Sequence, residues 1–192
     1  MRSFRRVLVW LSRCNKCRGF GVQSPWAYQM IRYVINEHWP YYAYDDFDTN
    51  LSHLTDEQMR LGKLYFRLSN FRQAEIVLNF PDDSLYDCFF QRGCRNSEVR
   101  VVDLTGIDDY PRIELFRISL TGDYESLYEK ALAKVDEQSV IIIENIHMNK
   151  ACRSFWKRVT DDERVSITFD LFDCGIIFFQ NRRYKENYIV NF

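Results

Sequence analysis

Apolar residues in the second half of the chain occur in short runs that are separated by helical stripes. Six segments have the apolar pattern of strands: AEIVLNF (74–80), EVRVVDL (98–104), IELFRISL (113–120), VIIIEN (140–145), VSITFDL (165–171) and GIIFFQ (175–180). Helical spacing of apolar residues recurs in 85–93, 124–135 and 152–159. Strands that alternate with helices predict an α/β layered fold with a mainly parallel sheet.

The run VIIIEN is the most apolar of these segments, which is typical of a strand that is covered on both faces and therefore central. The last two runs are separated only by Phe172, Asp173 and Cys174, so they must form an antiparallel hairpin. A further run, YIVNF (188–192), is a candidate for a short edge strand. We predict a Rossmann-like three-layer sandwich of about six strands, with a C-terminal antiparallel hairpin and an N-terminal helical cap.

The N-terminal part of the chain has helical periodicity. Ser24 and Pro25 have the pattern of an N-cap followed by proline at the first helical position. After that helix comes a segment rich in Tyr and Asp, which we predict to be a loop. Thr55 and Gln58 then have the spacing of a capping box at the start of the next helix.

Composition excludes several classes of protein. The chain has 192 residues, is 46% hydrophobic and contains only 7 Gly and 4 Pro, so a folded core is expected and disorder is not. Its apolar runs fall well short of the roughly 20 residues that span a bilayer, and the apolar region after the basic N-terminus is too short for a signal peptide. We expect a cytoplasmic protein with no membrane span. We assign residues 1–72 to a basic arm and helical cap and residues 73–192 to the α/β domain, packed as one compact unit.

Charge is distributed unevenly along the chain. No acidic residue precedes Glu37, and the segment before it carries +7; since the whole chain is −1, the remainder carries −8. The basic arm has an apolar stripe formed by Phe4, Val7, Leu8 and Leu11. Such a helix is suited to nucleic acid or an anionic membrane. Because the domain as a whole is not basic, we expect the arm instead to pack on its own acidic body, near Asp45, Asp46 and Asp48.

The six cysteines are expected to be free thiols in a chain of this size. Cys14 and Cys17 have the spacing of half a zinc site. No second close pair of cysteines or histidines completes that site in the sequence.

Polar residues follow the predicted central strand directly. Glu144 and Asn145 come at its carboxyl end, and His147 lies in the loop beyond. In open α/β sheets ligands bind outside the carboxyl ends of the strands, so these residues are candidates for a functional site. The alternative is that Glu144 and Asn145 cap the next helix and that His147 is simply exposed.

A resemblance to a known family supports the functional interpretation. The segments VIIIENIHMNKACRSFWKRV (140–159) and VSITFDLFDCGIIFF (165–179) resemble the C-terminal part of class I S-adenosylmethionine-dependent methyltransferases. They are most similar to an uncharacterised bacterial group of methyltransferase-like proteins. In that group Asp-Asp-Ile-His ends the fifth strand, a helix with a tryptophan follows, and a hairpin closes the sheet. GVQSPWAY (21–28) is similar to their N-terminal Gly-Val-His-Ser-Pro-Phe signature, whereas the middle of the chain matches only in strand pattern.

The chain departs from that family at the cofactor loop. The family has a glycine-rich turn after the first strand, where backbone must approach the methionine and ribose of the cofactor closely. The corresponding turn here, residues 80–84, reads Phe-Pro-Asp-Asp-Ser and contains no glycine. A competing alignment takes VVDLTGIDD (101–109) as the cofactor motif, with Gly106 in its turn. That motif has one glycine and no helix behind it.

A second departure concerns chain length. Only about ten residues separate Asp103 from the next strand, too few for a crossover helix and an additional strand. One βα unit of the family is therefore expected to be missing.

The resemblance also implies roles for individual residues. Asp103 occupies the place of the acid that binds the ribose hydroxyls. In catechol-type O-methyltransferases a divalent metal is held by an acid on the fourth strand, where Ser119 stands here, and by an acid–Asn pair, where Glu144 and Asn145 stand. Serine is a poor ligand for a hard cation. We therefore expect no tightly held metal, and only Glu144 and Asn145 as ligands if a site survives.

These departures favour a degenerate methyltransferase-like protein that is non-catalytic, has no expected cofactor and is retained for binding an unknown protein or small molecule. The alternative is an active small-molecule O-methyltransferase with an atypical S-adenosylmethionine pocket. Asp103 and Ser119 would then bind the cofactor, and Glu144 or His147 would act as general base. Nucleic-acid binding is the least favoured class, and a homodimer is left open. If the pocket survives as a polar remnant, Glu144, Asn145 and His147 should cluster near Asp103 and Ser119 around a solvent-filled cleft.

Overall fold

The computed structural model describes residues 8–16, 19, 21–37, 39–82, 84–181 and 184–192. They form a mixed β-sheet with helices on both faces. The seven strands in the described residues are β1 (Ile76–Phe80), β2 (Glu98–Val101), β3 (Leu115–Ser119), β4 (Val140–Glu144), β5 (Ile167–Asp170), β6 (Cys174–Phe178) and β7 (Glu186–Ile189). The helices are α1 (Pro25–Met30), α2 (Tyr42–Asn50), α3 (Asp56–Arg72), α4 (Asp87–Gly93), α5 (Tyr124–Leu132) and α6 (Lys150–Asp161).

The strand order is β2-β1-β3-β4-β6-β5-β7, which places β4 in the middle of the sheet. Strands β1 to β4 are parallel, and β6 runs antiparallel to both β4 and β5. Every residue of β4 is buried, as expected for a strand that is covered on both faces. The predicted α/β sandwich with VIIIEN at its centre is therefore confirmed.

The predicted β5–β6 hairpin is present, but it does not end the sheet. Strand β7 pairs in parallel with β5 and forms the edge beyond it. The sequence predicted about six strands and a candidate edge strand in YIVNF; the strand that forms is Glu186–Ile189, and it brings the sheet to seven.

The short connection that the sequence predicted after Asp103 lies at the opposite edge. There β2 is the outermost strand. After it the described chain makes only a short 3₁₀ helix, Gly106–Asp109, before it enters β3 on the other side of β1. The connection is too short to hold a crossover helix and a further strand.

Both predicted helix starts in the N-terminal cap are confirmed. The Ser24 side chain accepts a hydrogen bond from a backbone N–H of the first turn of α1, and Pro25 occupies the first helical position. Thr55 and Gln58 form the capping box of α3, in which each side chain accepts from the other residue's backbone N–H. Helix α1 continues into a π-helical turn, Ile31–Ile35.

Helix α2 replaces the loop that the sequence predicted after Pro40, so that prediction is wrong. Phe47 is the single buried residue of this helix. A helix that buries one residue needs no apolar stripe, so its sequence shows none. The Phe47 ring lies 4.4 Å from the ring of Phe89 and 5.9 Å from that of Phe66, between centroids. Tertiary packing of an aromatic side chain, rather than an amphipathic pattern, holds this helix in place.

Helices α1 to α4 cover one face of the sheet, and α5 and α6 cover the other. Alternate residues of a strand point to opposite faces. Leu115 of β3 and Ile142 of β4 belong to the core beneath α3, so Arg117 and Glu144, two positions further along, face the same helices. Asn79 of β1 does so too. The sheet therefore places a row of polar side chains beneath α3.

The described part of the N-terminal arm lies at the carboxyl edge of the sheet. Residues 8–12 are helical, and Arg13 donates to a carboxylate oxygen of Asp170 at 2.9 Å. Asp46 and Asp48, which the sequence offered as partners for the arm, instead pair with basic residues of α4 and α3. The arm does pack on an acidic residue of its own chain, but that residue is Asp170.

The apolar stripe of the arm is not buried where the structure describes it. Leu8 and Leu11 are exposed, and Phe4 and Val7 lie outside the described residues. Among the described helices, none has the length and apolar character required to cross a bilayer.

Candidate functional site

The row of polar residues beneath α3 contains a buried ion pair between neighbouring strands. Arg117 of β3 and Glu144 of β4 are only 2% and 5% exposed. The Nε and Nη2 groups of Arg117 donate to Oε1 and Oε2 of Glu144, each at 2.7 Å. Since Arg117 is in register with Ile142, its side chain reaches diagonally to the carboxylate two positions further along β4. Bidentate contacts of this kind are among the strongest between charged side chains.

Three further side chains close around this pair. Arg117 Nη1 donates to Oδ1 of Asn79 at 2.6 Å. The Tyr65 hydroxyl of α3 donates to Oε1 of Glu144, and the guanidinium carbon lies 4.8 Å from the centre of the Tyr86 ring. Both oxygens of Glu144 are therefore engaged, and its charge is balanced inside the protein.

Burial and the charge of Glu144 keep the Tyr65 hydroxyl and the Cys174 thiol protonated. Burial and the charge of Glu144 raise the pKa of the Tyr65 hydroxyl well above its ordinary value. Burial and the same charge raise the pKa of the Cys174 thiol, which lies opposite Glu144 across β4 and β6. At neutral pH Tyr65 is thus a hydrogen-bond donor and Cys174 a thiol, so neither is an activated nucleophile.

A second polar group lies where β4 and β5 end. Asp170 is the last residue of β5, and its Oδ2 atom is 2.7 Å from Nε2 of His147 in the loop after β4. Its Oδ1 atom accepts from Arg13 Nη1 and from the Phe172 backbone N–H, both at 2.9 Å. The His147 ring stacks on the Phe172 ring, with 5.2 Å between centroids. One carboxylate therefore holds both an imidazole and the N-terminal arm.

The Asp170 carboxylate is ionised at neutral pH. Its burial acts to raise its pKa, but the hydrogen bond with His147 and the charge of Arg13 outweigh burial, so the pKa lies below the ordinary 3.8. A carboxylate also orients the imidazole of many histidine bases, but there it contacts Nδ1, whereas Asp170 contacts Nε2.

A cavity of about 280 Å³ adjoins this second group. Its walls include Trp10 and Arg13 of the arm, Arg60 of α3 and Phe172 of the β5–β6 turn. The volume is near the lower limit for a small-molecule site. The arm therefore forms one wall of an open space beside the carboxyl edge.

The turn after β1 is filled by a large side chain. Phe80 is half-buried and packs against the core on the α5 and α6 face. Its ring reaches the loop after β3, where a Cβ atom placed on Gly122 would lie 3.8 Å from it. Pro81 follows and is also half-buried. The ring therefore reaches from the end of β1 toward the loop that follows β3.

The described residues contain no group of three or more His, Cys, Asp or Glu side chains that is arranged to hold a metal ion. The Asn145 side-chain amide donates to the Ser119 hydroxyl at 3.0 Å, while Glu144 binds Arg117. Cys14 is exposed, and Cys17 lies outside the described residues.

Comparison with known proteins identifies the architecture. No protein-family model and no curated protein sequence matches the chain. Among solved structures, the chain is similar to the methyltransferase PaMTH1 of Podospora anserina bound to S-adenosylhomocysteine, with a TM-score of 0.52 and 11% identity over 76% of this chain and 91% of that chain. It is also similar to a Staphylococcus aureus protein with a provisional caffeoyl-CoA O-methyltransferase assignment, with a TM-score of 0.53 and 8% identity over 73% and 93%. The chain has a class I methyltransferase-like fold.

In this methyltransferase-like fold the predicted site residues have separate partners. Glu144 binds Arg117 beneath α3, Asn145 binds Ser119, and His147 binds Asp170 at the carboxyl edge. Asp103 is exposed and accepts backbone N–H bonds within its own loop. Strands β1 and β3 lie between β2 and β4, and three strand spacings amount to about 14 Å. Asp103 therefore does not join the cluster around Glu144 that the sequence suggested.

Most residues of these groups were not identified from the sequence as site residues. Arg117 did give a signal, because a lone charge inside the apolar strand LFRIS needs a buried partner. Tyr65 gave no such signal, because an aromatic residue in a helix is typical of an apolar core face. Arg13 and Asp170 are 157 positions apart, and no local pattern connects them.

Replacing Asp170 tests the second group. Asp170→Asn should lower the free energy of unfolding by about 1.5–3 kcal/mol near pH 5, because Arg13 and His147 lose a charged acceptor. Since the folded-state pKa lies below 3.8, the carboxylate contributes stability above that pH and loses the contribution as the pH falls through the folded-state pKa. Urea unfolding at several pH values should therefore show a difference that shrinks below pH 3.8. Asp161→Asn, an exposed partner of Lys157, is the control; a difference that is independent of pH would contradict the assignment.

Proposed function

We propose that this chain is a degenerate methyltransferase-like protein that no longer transfers methyl groups and is retained for binding a small molecule or a protein. Phe80 carries the proposal. Its ring reaches from the end of β1 toward the loop after β3, beside the turn where the resemblance implies glycines and a cofactor in contact with backbone. A phenyl ring and the adjoining Pro81 fill space that such a ligand needs.

The edge of the sheet beside Asp103 supports the same proposal. Strand β2 is the edge strand, so no further βα unit in the described chain encloses a ligand beyond Asp103. The exposed Asp103 carboxylate is used through Oδ1 to cap its own turn, where it accepts from Thr105 and Gly106. The residues present do not fit S-adenosylmethionine in the manner that the resemblance implies.

Glu144 gives independent support. Its two oxygens accept from Arg117 and Tyr65, so neither oxygen is presented to a substrate as a general base or to a metal ion as a ligand. Restoring either role requires breaking a buried ion pair, at a cost of several kcal/mol.

Calorimetric titration with S-adenosylhomocysteine tests the proposal. We expect no saturable heat up to about 1 mM ligand, which corresponds to binding weaker than about −4 kcal/mol. The same sample should unfold cooperatively on heating, which excludes a misfolded preparation as the cause. A micromolar dissociation constant would overturn the proposal.

The alternative function is an active small-molecule O-methyltransferase with an atypical cofactor pocket. The contact between His147 and Asp170 favours it, because it supplies a histidine with an orienting carboxylate at the carboxyl edge of the sheet. In that case His147 is the general base in preference to the paired Glu144, and Asp103 and Ser119 are the cofactor-binding residues. Saturable binding in the same titration would favour this alternative.

A further inference from the structure

A second cavity lies within the N-terminal cap, and we call it the cap cavity. Its walls come from the end of the π-helical turn, α2, α3 and Phe192, and its volume is about 470 Å³. Cavities of a few hundred Å³ are the usual size of small-molecule sites. Three cationic residues of α3 line it: Arg60, Lys63 and Arg67. Their spacing places them along one stripe of the helix.

Arg67 is the most informative of these residues because it is buried without a carboxylate. It is 6% exposed. Its Nε and Nη2 groups donate to the backbone carbonyls of Val34 and Ile35, and Nη1 donates to the Tyr44 hydroxyl. No carboxylate of the described chain forms an ion pair with it. The carbonyls at the end of the π-helical turn offset only part of a full charge, so the guanidinium places a positive charge in the wall of the cavity.

Hydrogen-bond donors are in excess around the cap cavity. The Tyr44 hydroxyl accepts from Arg67, and burial raises its pKa, so it keeps its proton; no acceptor for that proton is found in the described chain. Arg60 contributes less, because its Nη atoms already donate to Asp173 and to the Phe192 carbonyl and its Nε group is shielded from solvent. Lys63 lies over the Tyr44 ring, and its carboxylate partner, Asp48, is 56% exposed. Groups of this kind are best satisfied by an occupant that brings acceptors.

The rest of the lining limits the charge and shape of the occupant. Glu37 and Asp56 also line the cavity. Two of its three cations pair with acids outside the lining, Lys63 with Asp48 and Arg60 with Asp173, so Arg67 is the cation that no carboxylate of the described chain balances. Glu37 accepts from a neighbouring backbone N–H, and Asp56 lies in the first turn of α3, where a helix favours negative charge. Ile35, Met59 and Phe192 supply an apolar wall. This composition suits one anionic head on a short apolar body.

We propose that the cap cavity binds a small organic anion, a carboxylate or phosphate head carried on an apolar body. The head contacts Lys63, Arg67 and the Tyr44 hydroxyl, and the body packs against Met59 and Phe192. This inference rests on the proposed function in one respect, since it gives the retained fold its ligand. The cavity residues are separate from Phe80 and Pro81, so the site does not depend on whether the cofactor turn is functional.

Titration of the full chain, observed by NMR of the ¹⁵N-labelled protein, tests the site. The probes are phenylacetate and phenyl phosphate, with neutral phenylacetamide as the matched control. We expect saturable shifts of amides around the cap cavity, with a dissociation constant on the order of 1 mM or lower for at least one anion. Phenylacetamide should bind at least about tenfold more weakly, because hydrogen bonds to charged groups are the stronger ones. Comparison of the two anions identifies the preferred head.

Two matched variants locate the charge that matters. Lys63 and Arg92 both pair with an aspartate of α2, but only Lys63 lines the cavity. Lys63→Gln should weaken anion binding about tenfold, whereas Arg92→Gln should leave it within about twofold. Arg67 is not used, because its hydrogen bonds hold the π-helical turn and its loss is expected to disturb folding.

Three results would overturn the inference: equal binding of phenylacetamide, equal weakening by Arg92→Gln, or no saturable shift by about 10 mM probe. Calorimetry with S-adenosylhomocysteine on the same sample separates this inference from the proposed function. Micromolar binding of that ligand would refute loss of the cofactor site and leave the anion site standing. Absence of anion binding would refute the anion site alone.

Discussion

Glu144→Gln should lower the free energy of unfolding by about 3–5 kcal/mol, because it leaves the charge of Arg117 buried without a counter-ion. The glutamine side chain can still accept a hydrogen bond from Tyr65. It has one oxygen acceptor instead of two and no negative charge, so it cannot replace the paired contact with the Arg117 guanidinium. Urea unfolding followed by circular dichroism measures the loss. Glu125→Gln is the control, since that carboxylate pairs with Arg158 on the surface and should change stability by no more than about 0.5 kcal/mol.

Removing both charges distinguishes loss of a counter-ion from loss of packing. Arg117→Met combined with Glu144→Leu should be less destabilised than Glu144→Gln alone, because a buried ion pair replaced by apolar side chains is often nearly neutral. Tyr65→Phe added to that double variant should recover more stability, since the Tyr65 hydroxyl otherwise loses its acceptor. A loss of less than about 1 kcal/mol in Glu144→Gln, with no recovery in the double variant, would mean that the ion pair does not form in solution.

Gly175→Ala should lower the free energy of unfolding by about 1–3 kcal/mol through overpacking. Gly175 lies in β6, next to the central strand, and the Trp156 indole of α6 lies directly against its backbone. A Cβ atom there would lie 2.3 Å from the indole ring, so α6 must shift on the sheet. Gly106→Ala is the control, because its Cβ atom would meet only Asp103 Oδ1, at 3.4 Å.

A double variant checks that the indole causes this loss. Trp156→Phe reduces the ring that occupies the space above Gly175, so the stability losses of the two substitutions should not add. Residues in direct contact commonly show a coupling energy of about 0.5 kcal/mol or more. Purely additive losses in thermal or urea unfolding would show that the clash lies elsewhere.

The two polar groups have different relations to function. The Arg117–Glu144 pair lies beneath α3 and joins strands β3 and β4, which stabilises the middle of the sheet. The His147–Asp170 pair lies at the carboxyl edge beside a cavity, where this architecture places ligands. The first group therefore makes Glu144 a structural residue in our proposal, and the second makes His147 the better candidate for any remaining chemistry.

The sequence alone determined the layered architecture, the central position of β4 and the β5–β6 hairpin. Each follows from a local cause: a doubly covered strand is apolar throughout, and three connecting residues admit only an antiparallel turn. The starts of α1 and α3 were also predictable, because Ser24 and Thr55 make their capping bonds to residues only a few positions away. The short spacing after Asp103 predicted that no crossover helix separates β2 from β3.

Only the tertiary structure decided the partners of the polar residues. Arg117 lies 38 positions from Asn79 and 27 from Glu144, and their contact depends on which strands are neighbours and in which register. Helix α2 forms because Phe47 packs on aromatic rings of other helices, which its own weak periodicity does not reveal. Local patterns record the bonds that a segment makes with itself, whereas a buried charge is satisfied by whichever distant side chain the folded sheet brings within hydrogen-bonding distance.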